Sequence, residues 1–192
     1  MAMPSNNAKI MVCQLDERTQ IVKSDGMTVT LSPVSCLNAA TTEVYGLIIL
    51  CFSTRFIRGR CGIVELCRCL KSNSLAHKTP VFASIDRWHR GIAGQMQEAG
   101  LDFMGVRQSQ NKIDSGHIFD SIRRNAISIH IDQIMSQLCP FLNYAPLNSH
   151  SELITCGAWR NRMVLGGKRL HEVCEAENHL HCEYFLNPRL KI

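Results

Sequence analysis

The sequence predicts an α/β protein with a five-stranded parallel sheet flanked by helices, followed by a small irregular carboxy-terminal module stapled by a metal. Three observations support this. Short apolar segments alternate with helical patterns from Lys9 to about Arg107. One of these segments, residues 46–50, is apolar on both faces, as a central parallel strand should be. Beyond residue 138 the periodicity fades, and four cysteines fall between residues 139 and 182.

Composition indicates a folded protein. The chain has 192 residues, of which 45% are apolar and 19% charged, which is typical of a domain with a real core rather than of a disordered segment. No apolar run approaches the roughly 20 residues needed to span a bilayer, and residues 1–9 lack a secretory pattern. We therefore expect a cytoplasmic protein with no membrane partner. The net charge of +5 permits an acidic partner without indicating one.

The elements of the sheet follow in order along the chain. Runs rich in apolar and β-branched residues predict strands at 10–13, 27–31, 46–50, 79–84 and 102–106. Helical spacing predicts helices at 32–44, 62–71 and 90–99, the last ended by Gly100 at a left-handed cap position. Strand–helix alternation with short connections predicts right-handed crossovers between parallel strands.

Residues 18–31 allow two interpretations. A short polar stretch over residues 16–24 precedes Asp25-Gly26, which is a turn signal. A helix followed by a strand is favoured, although the polar stretch is short for a covering helix. A hairpin is the alternative, because an Asp-Gly pair also suits a tight hairpin turn.

The order and spacing of these elements resemble the receiver domain of bacterial response regulators over residues 8–115. The segments that carry the resemblance are Gly46-Leu-Ile-Ile-Leu, Gly62-Ile-Val-Glu-Leu-Cys-Arg-Cys-Leu, Thr79-Pro-Val-Phe-Ala-Ser and Glu98-Ala-Gly-Leu-Asp-Phe-Met. The resemblance implies a flavodoxin-like fold and a role in signal transduction through a protein partner.

The sequence departs from the receiver pattern at the positions that carry phosphorylation chemistry. Receivers hold magnesium with an acidic pair after the first strand, where this chain has Cys13 and Gln14, with acidic residues displaced to positions 16 and 17. They carry a phosphoacceptor aspartate at the end of the third strand, where this chain has Cys51 or Phe52. Without that nucleophile and a magnesium cage, aspartyl phosphorylation has no chemical basis.

Two further receiver positions differ in how well this chain matches them. Ser84 provides a hydroxyl at the end of the fourth predicted strand, whereas the lysine that receivers carry near the fifth strand has no counterpart here unless Arg107 takes its place. The resemblance therefore implies a pseudo-receiver, a domain with this fold that makes protein contacts without accepting a phosphoryl group.

A linking helix is predicted over residues 116–138, after a polar linker. Its isoleucine and leucine residues fall near one helical face, although 127–131 alternate and allow a local strand. A helix of this length can pack on the sheet and still extend into the next module, or mediate a homodimer.

The third predicted unit, residues 139–192, is a four-cysteine module. Its candidate ligands are Cys139, Cys156, Cys174 and Cys182, and four thiolates are what a zinc ion or an iron–sulfur cluster needs. The close Cys-x2-Cys pairs of many zinc sites are absent. Cys139 is followed by proline, a pattern that recurs in iron–sulfur proteins, so a [4Fe-4S] cluster is favoured over zinc. An irregular segment this small needs such a staple to remain folded.

Other residues of the module are candidate auxiliary groups. The pattern around the cysteines is similar to small four-cysteine modules appended to bacterial regulatory proteins. His171, His179 and His181 are candidates to replace a thiolate or to donate a hydrogen bond to one, although each is also an ordinary surface residue type. Arg160 is a candidate to offset the charge of a cluster, with a solvated turn as the alternative.

Two groups of residues outside the module are further candidates for a functional role. Arg55, Arg58 and Arg60 follow the third strand, at the edge where doubly wound folds bind ligands, and form a weak candidate site for an anion or an acidic partner. The remaining six cysteines are expected mostly to pack in the core. A redox-sensing thiol among Cys61, Cys67 and Cys69, near basic residues, is the alternative.

The predicted function is a non-catalytic signalling or regulatory adaptor with an iron–sulfur or zinc module that senses redox state or supports folding. The alternative is an electron-transfer subunit that carries an iron–sulfur cluster within a larger complex. A third alternative is an enzyme that uses an open cluster position. It is weaker because no catalytic triad, zinc-protease motif or nucleophile elbow is present. Nucleic-acid binding is not expected, because no basic recognition helix stands out.

Overall fold

The computed structural model describes residues 9–22, 26–55, 57–107, 112–124 and 126–189. Its strands are β1 Ile10–Gln14, β2 Gln20–Ile21, β3 Met27–Thr30, β4 Leu47–Cys51, β5 Val81–Ile85, β6 Phe103–Val106, β7 Lys112–Ile113, β8 Leu142–Pro146 and β9 Glu152–Cys156. Its α-helices are α1 Pro33–Thr42, α2 Ile57–Ser72, α3 Arg90–Glu98, α4 Ser115–Arg123, α5 Ile131–Gln137, α6 Gly167–Arg169 and α7 Glu183–Leu186. In the described parts, no helix is both long and apolar enough to cross a membrane.

Five parallel strands form the main sheet in the order β3-β1-β4-β5-β6, which confirms the predicted α/β class with a five-stranded parallel sheet. In chain order of these strands this is the 2-1-3-4-5 order of a flavodoxin-like, doubly wound sheet. The register pairs Val12 with Val29 and Ile49, and Ile49 in turn with Phe82. β4 and β5 are buried along their whole length, because helices cover both faces of a central parallel strand.

Side chains of successive strand residues enter two separate cores. Ile48 and Leu50 belong to the larger core, which α1, α2, α3 and α5 cover. Leu47 and Ile49 belong to the smaller core on the opposite face, together with Phe119 of α4. This alternation follows from the two-residue period of a strand.

The ends of the covering helices match the signals in the sequence. Ser32 caps α1, since its hydroxyl accepts the Ser35 N–H at 3.1 Å while the Ser35 hydroxyl accepts the Ser32 N–H at 3.2 Å. Gly100 follows α3 with a φ of 87°, as predicted, and the Leu101 N–H then donates to the Met96 carbonyl. Glycine adopts this left-handed conformation without steric cost.

The first crossover differs from both interpretations of residues 18–31. β1 and β3 pair in parallel, so the hairpin is wrong. Between them, the described residues form the short strand β2, which pairs with β7, and residues 15–22 contain no helix. The polar stretch is too short to cover the sheet, as its length had suggested. Asp25 of the predicted turn lies outside the described residues, and Gly26 has a φ of 78°.

The predicted linking helix is divided into two, which corrects the single helix expected over residues 116–138. α4 packs on the face that carries Ile49, whereas Ile131 and Ile134 of α5 pack on the opposite face. The chain passes the edge of the sheet between them, where a 3₁₀ turn at Ile127–Ile129 precedes a bridge between His130 and Phe103. A continuous helix cannot reach both faces, and the alternating residues 127–131 mark the crossing.

The carboxy-terminal region has its own small architecture. β8 and β9 form an antiparallel hairpin, with Leu142 opposite Cys156, which the sequence analysis did not predict. The short helix α6 continues as a π-helix over Leu170–Cys174. These elements share a third core with few members. The boundaries predicted for the three units, 8–115, 116–138 and 139–192, remain predictions.

Candidate functional site

The carboxyl edge of the main sheet holds a buried ion pair at its centre. Arg107 follows β6 directly and donates from its guanidinium to Asp16 Oδ2 at 2.7 Å, to the Ser84 carbonyl at 2.7 Å and to the Phe52 carbonyl at 3.1 Å. The side chains of Arg107 and Asp16 are 1% and 7% exposed. Phe52 is itself buried at the end of β4. The edge where this fold binds ligands is thus filled by the protein's own side chains.

A second polar group of the same edge surrounds Asp86, just after β5. Its carboxylate accepts hydrogen bonds from the Ser53 hydroxyl at 2.7 Å, the Thr54 N–H at 2.8 Å and the Thr54 hydroxyl at 2.9 Å. Burial alone raises the pKa of Asp86, but these donors outweigh it and hold the pKa below its usual range. The loop after β4 is therefore fixed to the loop after β5.

The structure describes the side chains of two of the three arginines proposed as an anion site. Arg55 is exposed, and its Nε lies 3.4 Å from Asp86 Oδ2. Arg60 is buried on α2, and its guanidinium donates to the Thr54 carbonyl from Nε at 2.8 Å. The Arg58 side chain lies outside the described part of the chain. Arg55 and Arg60 thus have internal partners and are not gathered around a common site.

Arg60 instead joins the sheet to the carboxy-terminal hairpin. Its guanidinium forms a two-pronged pair with Glu152, the first residue of β9, with Nη2 at 2.6 Å from Oε2. His89 Nε2 lies 3.2 Å from the same Oε2. The three side chains are 7%, 6% and 4% exposed. Burial raises the pKa of Glu152, but Arg60 and His89 lower it more, so that the pKa lies below its usual range and the carboxylate stays charged.

His89 is held in one neutral form by its neighbours. Its Nδ1 accepts the Ile92 N–H at 3.1 Å and so caps α3, which leaves the proton on Nε2, facing Glu152. The ring stacks on Tyr144 of β8 at 3.7 Å between centroids. Burial, with the nearby charge of Arg60, lowers the pKa of His89 to about 4. These residues border a cavity of about 370 Å³ between the sheet domain and the hairpin.

The four cysteines of the predicted module lie in neighbouring elements. Cys139 follows α5, Cys156 ends β9, Cys174 ends the π-helix and Cys182 precedes α7. The Cys139 N–H donates to the Cys174 carbonyl at 2.8 Å, and Cys139, Cys156 and Cys174 are buried in the third core. Cys182 is half-buried.

The thiols influence one another electrostatically. Burial, followed by the proximity of the other three thiols, raises the pKa of Cys174 to about 12. Burial also raises the pKa of Cys139, with Cys156 and Cys182 contributing. Within the described ranges, however, no three Cys, His, Asp or Glu side chains are arranged as metal ligands. Metal binding requires thiols to lose their protons and to approach one ion or cluster. The four cysteines supply the number and kind of donor atoms that a metal needs. Their sulfur atoms would have to move closer together to bind it.

The auxiliary candidates have different surroundings. The His171 Nδ1 lies 2.7 Å from Glu175 Oε2, and His179 is buried with Nδ1 at 2.7 Å from the Ala176 carbonyl. His181 borders a cavity of about 660 Å³ together with Cys182. Arg160 is exposed, with a φ of 56° in the turn after Cys156.

A different arginine approaches a thiol. Arg169 Nη2 lies 4.0 Å from Cys182 Sγ, and its guanidinium lies over the Tyr184 ring at 5.2 Å from the centroid. No sequence pattern indicates Arg169 as a site residue or predicts the contact of Arg60 with Glu152. Residue types at these positions are ordinary, and only the fold brings residues 60 and 152 together.

Comparisons with known proteins find likeness only in structure. No protein-family model matches the sequence, and the comparison with curated proteins finds no significant match. The phosphorylated cyanobacterial phytochrome response regulator RcpA has a TM-score of 0.42 and 12% identity, over 62% of this chain and 90% of that chain. A response regulator protein from Burkholderia multivorans has a TM-score of 0.42 and 15% identity, over 62% of this chain and 95% of that chain.

Proposed function

We propose that this protein is a non-catalytic signalling or regulatory adaptor, with a receiver-like domain of altered chemistry and a metal-binding four-cysteine module. The observation that carries the proposal is the Arg107–Asp16 ion pair at the carboxyl edge of the sheet. A ligand or phosphoryl group at this edge would have to displace a buried guanidinium from Asp16 and from two carbonyl groups, which is costly.

The chemistry of the same edge supports a role without phosphorylation. The last residue of β4 is Cys51, and the next is Phe52. Neither side chain can form the acyl phosphate of a receiver. Burial further raises the pKa of the Cys51 thiol, so that it is a poor nucleophile. Asp86 is another carboxylate of this edge, and the Ser53 and Thr54 side chains occupy its oxygens.

The metal part of the proposal rests on the third core. Three of its seven buried members are cysteines, in a region with one two-stranded sheet and short helices. A core this small gains little from apolar burial alone. Bound metal would displace the protons of the four thiols and form bonds between distant parts of the chain. Cys139-Pro140 favours a [4Fe-4S] cluster, with zinc as the alternative.

The adaptor is proposed to contact another protein or a second copy of itself. Exposed apolar side chains that support such a contact occur at the start of α1, where Leu31 and Val34 are 73% and 79% exposed, and in the linking segment, where Ile127 is 68% exposed. A cytoplasmic location belongs to the same proposal, since thiolates persist in a reducing compartment.

The test is metal analysis of the full-length protein purified without oxygen. We expect brown protein with iron and sulfide, and loss of both in Cys156→Ser and in Cys174→Ser. Cys69→Ser is the matched control, because Cys69 lies on α2 and is not among the four. Acetyl phosphate with magnesium should leave the protein unmodified.

Each other result has a defined meaning. Colourless protein with one zinc per chain overturns the cluster and keeps the module, whereas folded protein without metal overturns both. Stable incorporation of a phosphoryl group would contradict the proposal that the receiver-like domain lacks phosphorylation chemistry. A cluster that cycles reversibly between two oxidation states, inside a larger complex, favours the electron-transfer alternative.

A further inference from the structure

Two free cysteines of the sheet domain lie in the larger core, where β1 meets α1. Cys13 is on β1 and Cys36 is the fourth residue of α1. Both side chains are fully buried in this core. Cys51, the next cysteine along the chain, belongs to the smaller core on the opposite face. The sheet therefore separates the Cys51 side chain from the other two.

One backbone carbonyl group brings the two cysteines together. The Cys13 thiol donates to the Ser32 carbonyl at 3.7 Å, and the Cys36 N–H donates to the same oxygen at 3.0 Å. Ser32 is the cap of α1, and its reciprocal hydrogen bonds with Ser35 fix the first turn of the helix. The start of α1 thus places Cys36 beside β1.

A buried hydroxyl group faces the same two thiols. Thr30 of β3 lies opposite Cys13 in the strand pairing. Its Oγ1 atom is buried and, among the described residues, has no hydrogen bond to a nitrogen or oxygen atom. It acts instead on both Cys13 and Cys36, and it favours the charged form of each. The polar surroundings of the thiols are therefore those of a small buried cluster and not of plain apolar packing.

The two thiols influence each other in opposite directions. Hydrogen bonding with Cys36 lowers the pKa of Cys13, although burial acts against this. The same contact, followed by burial, raises the pKa of Cys36. The first proton of the pair is thus lost from Cys13, while Cys36 stays a thiol beside it. A thiolate is the nucleophilic form of cysteine, so one member of the pair is suited to attack and the other to follow.

We propose that Cys13 and Cys36 are a redox-active pair, which a small peroxide converts into a disulfide between β1 and α1. The Cys13 thiolate attacks one oxygen of hydrogen peroxide and the O–O bond breaks. Cys13 becomes a sulfenic acid, and the departing hydroxide takes a proton to form water. The Cys36 thiol then attacks the Cys13 sulfur, the S–O bond breaks, and a second water leaves. The two thiols lose two electrons and two protons, and the peroxide is reduced to water.

The burial of the pair determines the class of oxidant. Neither side chain is exposed to solvent, so a disulfide reagent or another protein cannot reach the sulfur atoms. Hydrogen peroxide is close to water in size. Cys61 of α2 is exposed and is the internal standard for general oxidation. A disulfide between residues 13 and 36 would also close a loop in the unfolded chain, which stabilises the folded protein.

The experiment is disulfide mapping of the full-length, folded protein after treatment with hydrogen peroxide. The treated protein is denatured with N-ethylmaleimide present and digested with chymotrypsin, which cleaves after Tyr45 and so separates Cys36 from Cys51. We expect most of Cys13 in a peptide joined to Cys36, two hydrogen atoms lighter than the separate peptides and divided again by a reductant. Oxidised protein should also unfold at a higher urea concentration than reduced protein.

Matched variants test which thiols are required. Cys36→Ala should abolish the linked peptide and the gain in urea resistance, whereas Cys51→Ala, at another fully buried position, should keep both. If Cys36→Ala does not fold, the peptide map of the wild type decides the question alone.

Two results would overturn the proposal. One is recovery of Cys13 and Cys36 as separate alkylated thiols at a peroxide dose that oxidises Cys61. The other is a link from Cys13 to a cysteine other than Cys36. The pair lies in the sheet domain, so these results do not depend on whether the four-cysteine module binds a metal.

Discussion

The main sheet domain and the carboxy-terminal region are stabilised in different ways. The sheet domain buries large apolar side chains on both faces of five strands, in two cores. The carboxy-terminal region buries seven residues in its core, three of them cysteines, around a two-stranded sheet. The first region buries more apolar side chains than the second, and burial of apolar area is what stabilises an ordinary domain. The metal proposed above would add cross-links to the second region, where apolar burial is smaller.

The two regions also differ in how they use buried charge. In the sheet domain, Arg107 and Asp16 lie within one unit and close its own edge. In the carboxy-terminal region, Glu152 pairs with Arg60 of the other region. An ion pair within a domain fixes its loops, whereas one between two regions makes the docking of one depend on the other. Removal of one partner from a buried pair of either kind strongly destabilises the folded protein.

Metal removal should show the difference in stability between the two regions most clearly. After anaerobic chelation, we expect residues 142–156 and 170–186 to lose their protection from amide exchange, because the small third core cannot stay folded by itself. β4 and β5 should keep theirs. Exchange measured by mass spectrometry on the full chain checks this. Retained protection in the carboxy-terminal region would show that apolar burial suffices there and would remove the contrast.

The Asp16→Asn variant tests the buried charge of the sheet domain. It leaves the Arg107 guanidinium buried without its carboxylate, so we expect the free energy of unfolding to fall by about 4 kcal/mol. Urea denaturation followed by circular dichroism measures the change. Glu43→Gln is the control, because Glu43 and Lys9 form a half-exposed ion pair, and such pairs contribute little. Equal effects of the two substitutions would contradict a special role for the buried pair.

The pH dependence of stability should identify His89 at the junction of the two regions. The pKa of His89 is about 4 in the folded protein, against 6.5 without burial. Between these values the unfolded chain binds a proton that the folded protein does not, so stability falls as pH falls from 6.5 to 4, by about 3 kcal/mol in total.

The matched variant for this prediction is His89→Asn, which keeps a side chain able to cap α3. It should flatten the pH dependence in that window, whereas His77→Asn, at an exposed site, should not. Thermal unfolding of both variants and wild type at a series of pH values measures the difference. Parallel curves for wild type and His89→Asn would place the titration elsewhere.

Parts of this molecule with strong local patterns were predictable. The apolar runs that form β1, β4 and β5, the Ser32 start of α1 and the Gly100 end of α3 all follow from strand periodicity and capping chemistry. The linking helix was mispredicted because periodicity does not reveal that Ile118 and Ile134 face opposite sides of a sheet. The β8–β9 hairpin was missed because its strands are short and half-buried.

The sequence by itself determined the α/β class, the five parallel strands, the presence of Cys51 and Phe52 rather than an aspartate at the end of β4, and the supply of four thiols in a small segment. These depend on residue type and on spacing along the chain. Only the tertiary structure decided that Arg107 reaches Asp16 and that Arg60 reaches Glu152, because these pairs join residues far apart in sequence. The burial of those charges decides how much an ion pair affects stability. It likewise follows from packing and not from the order of residues in the chain.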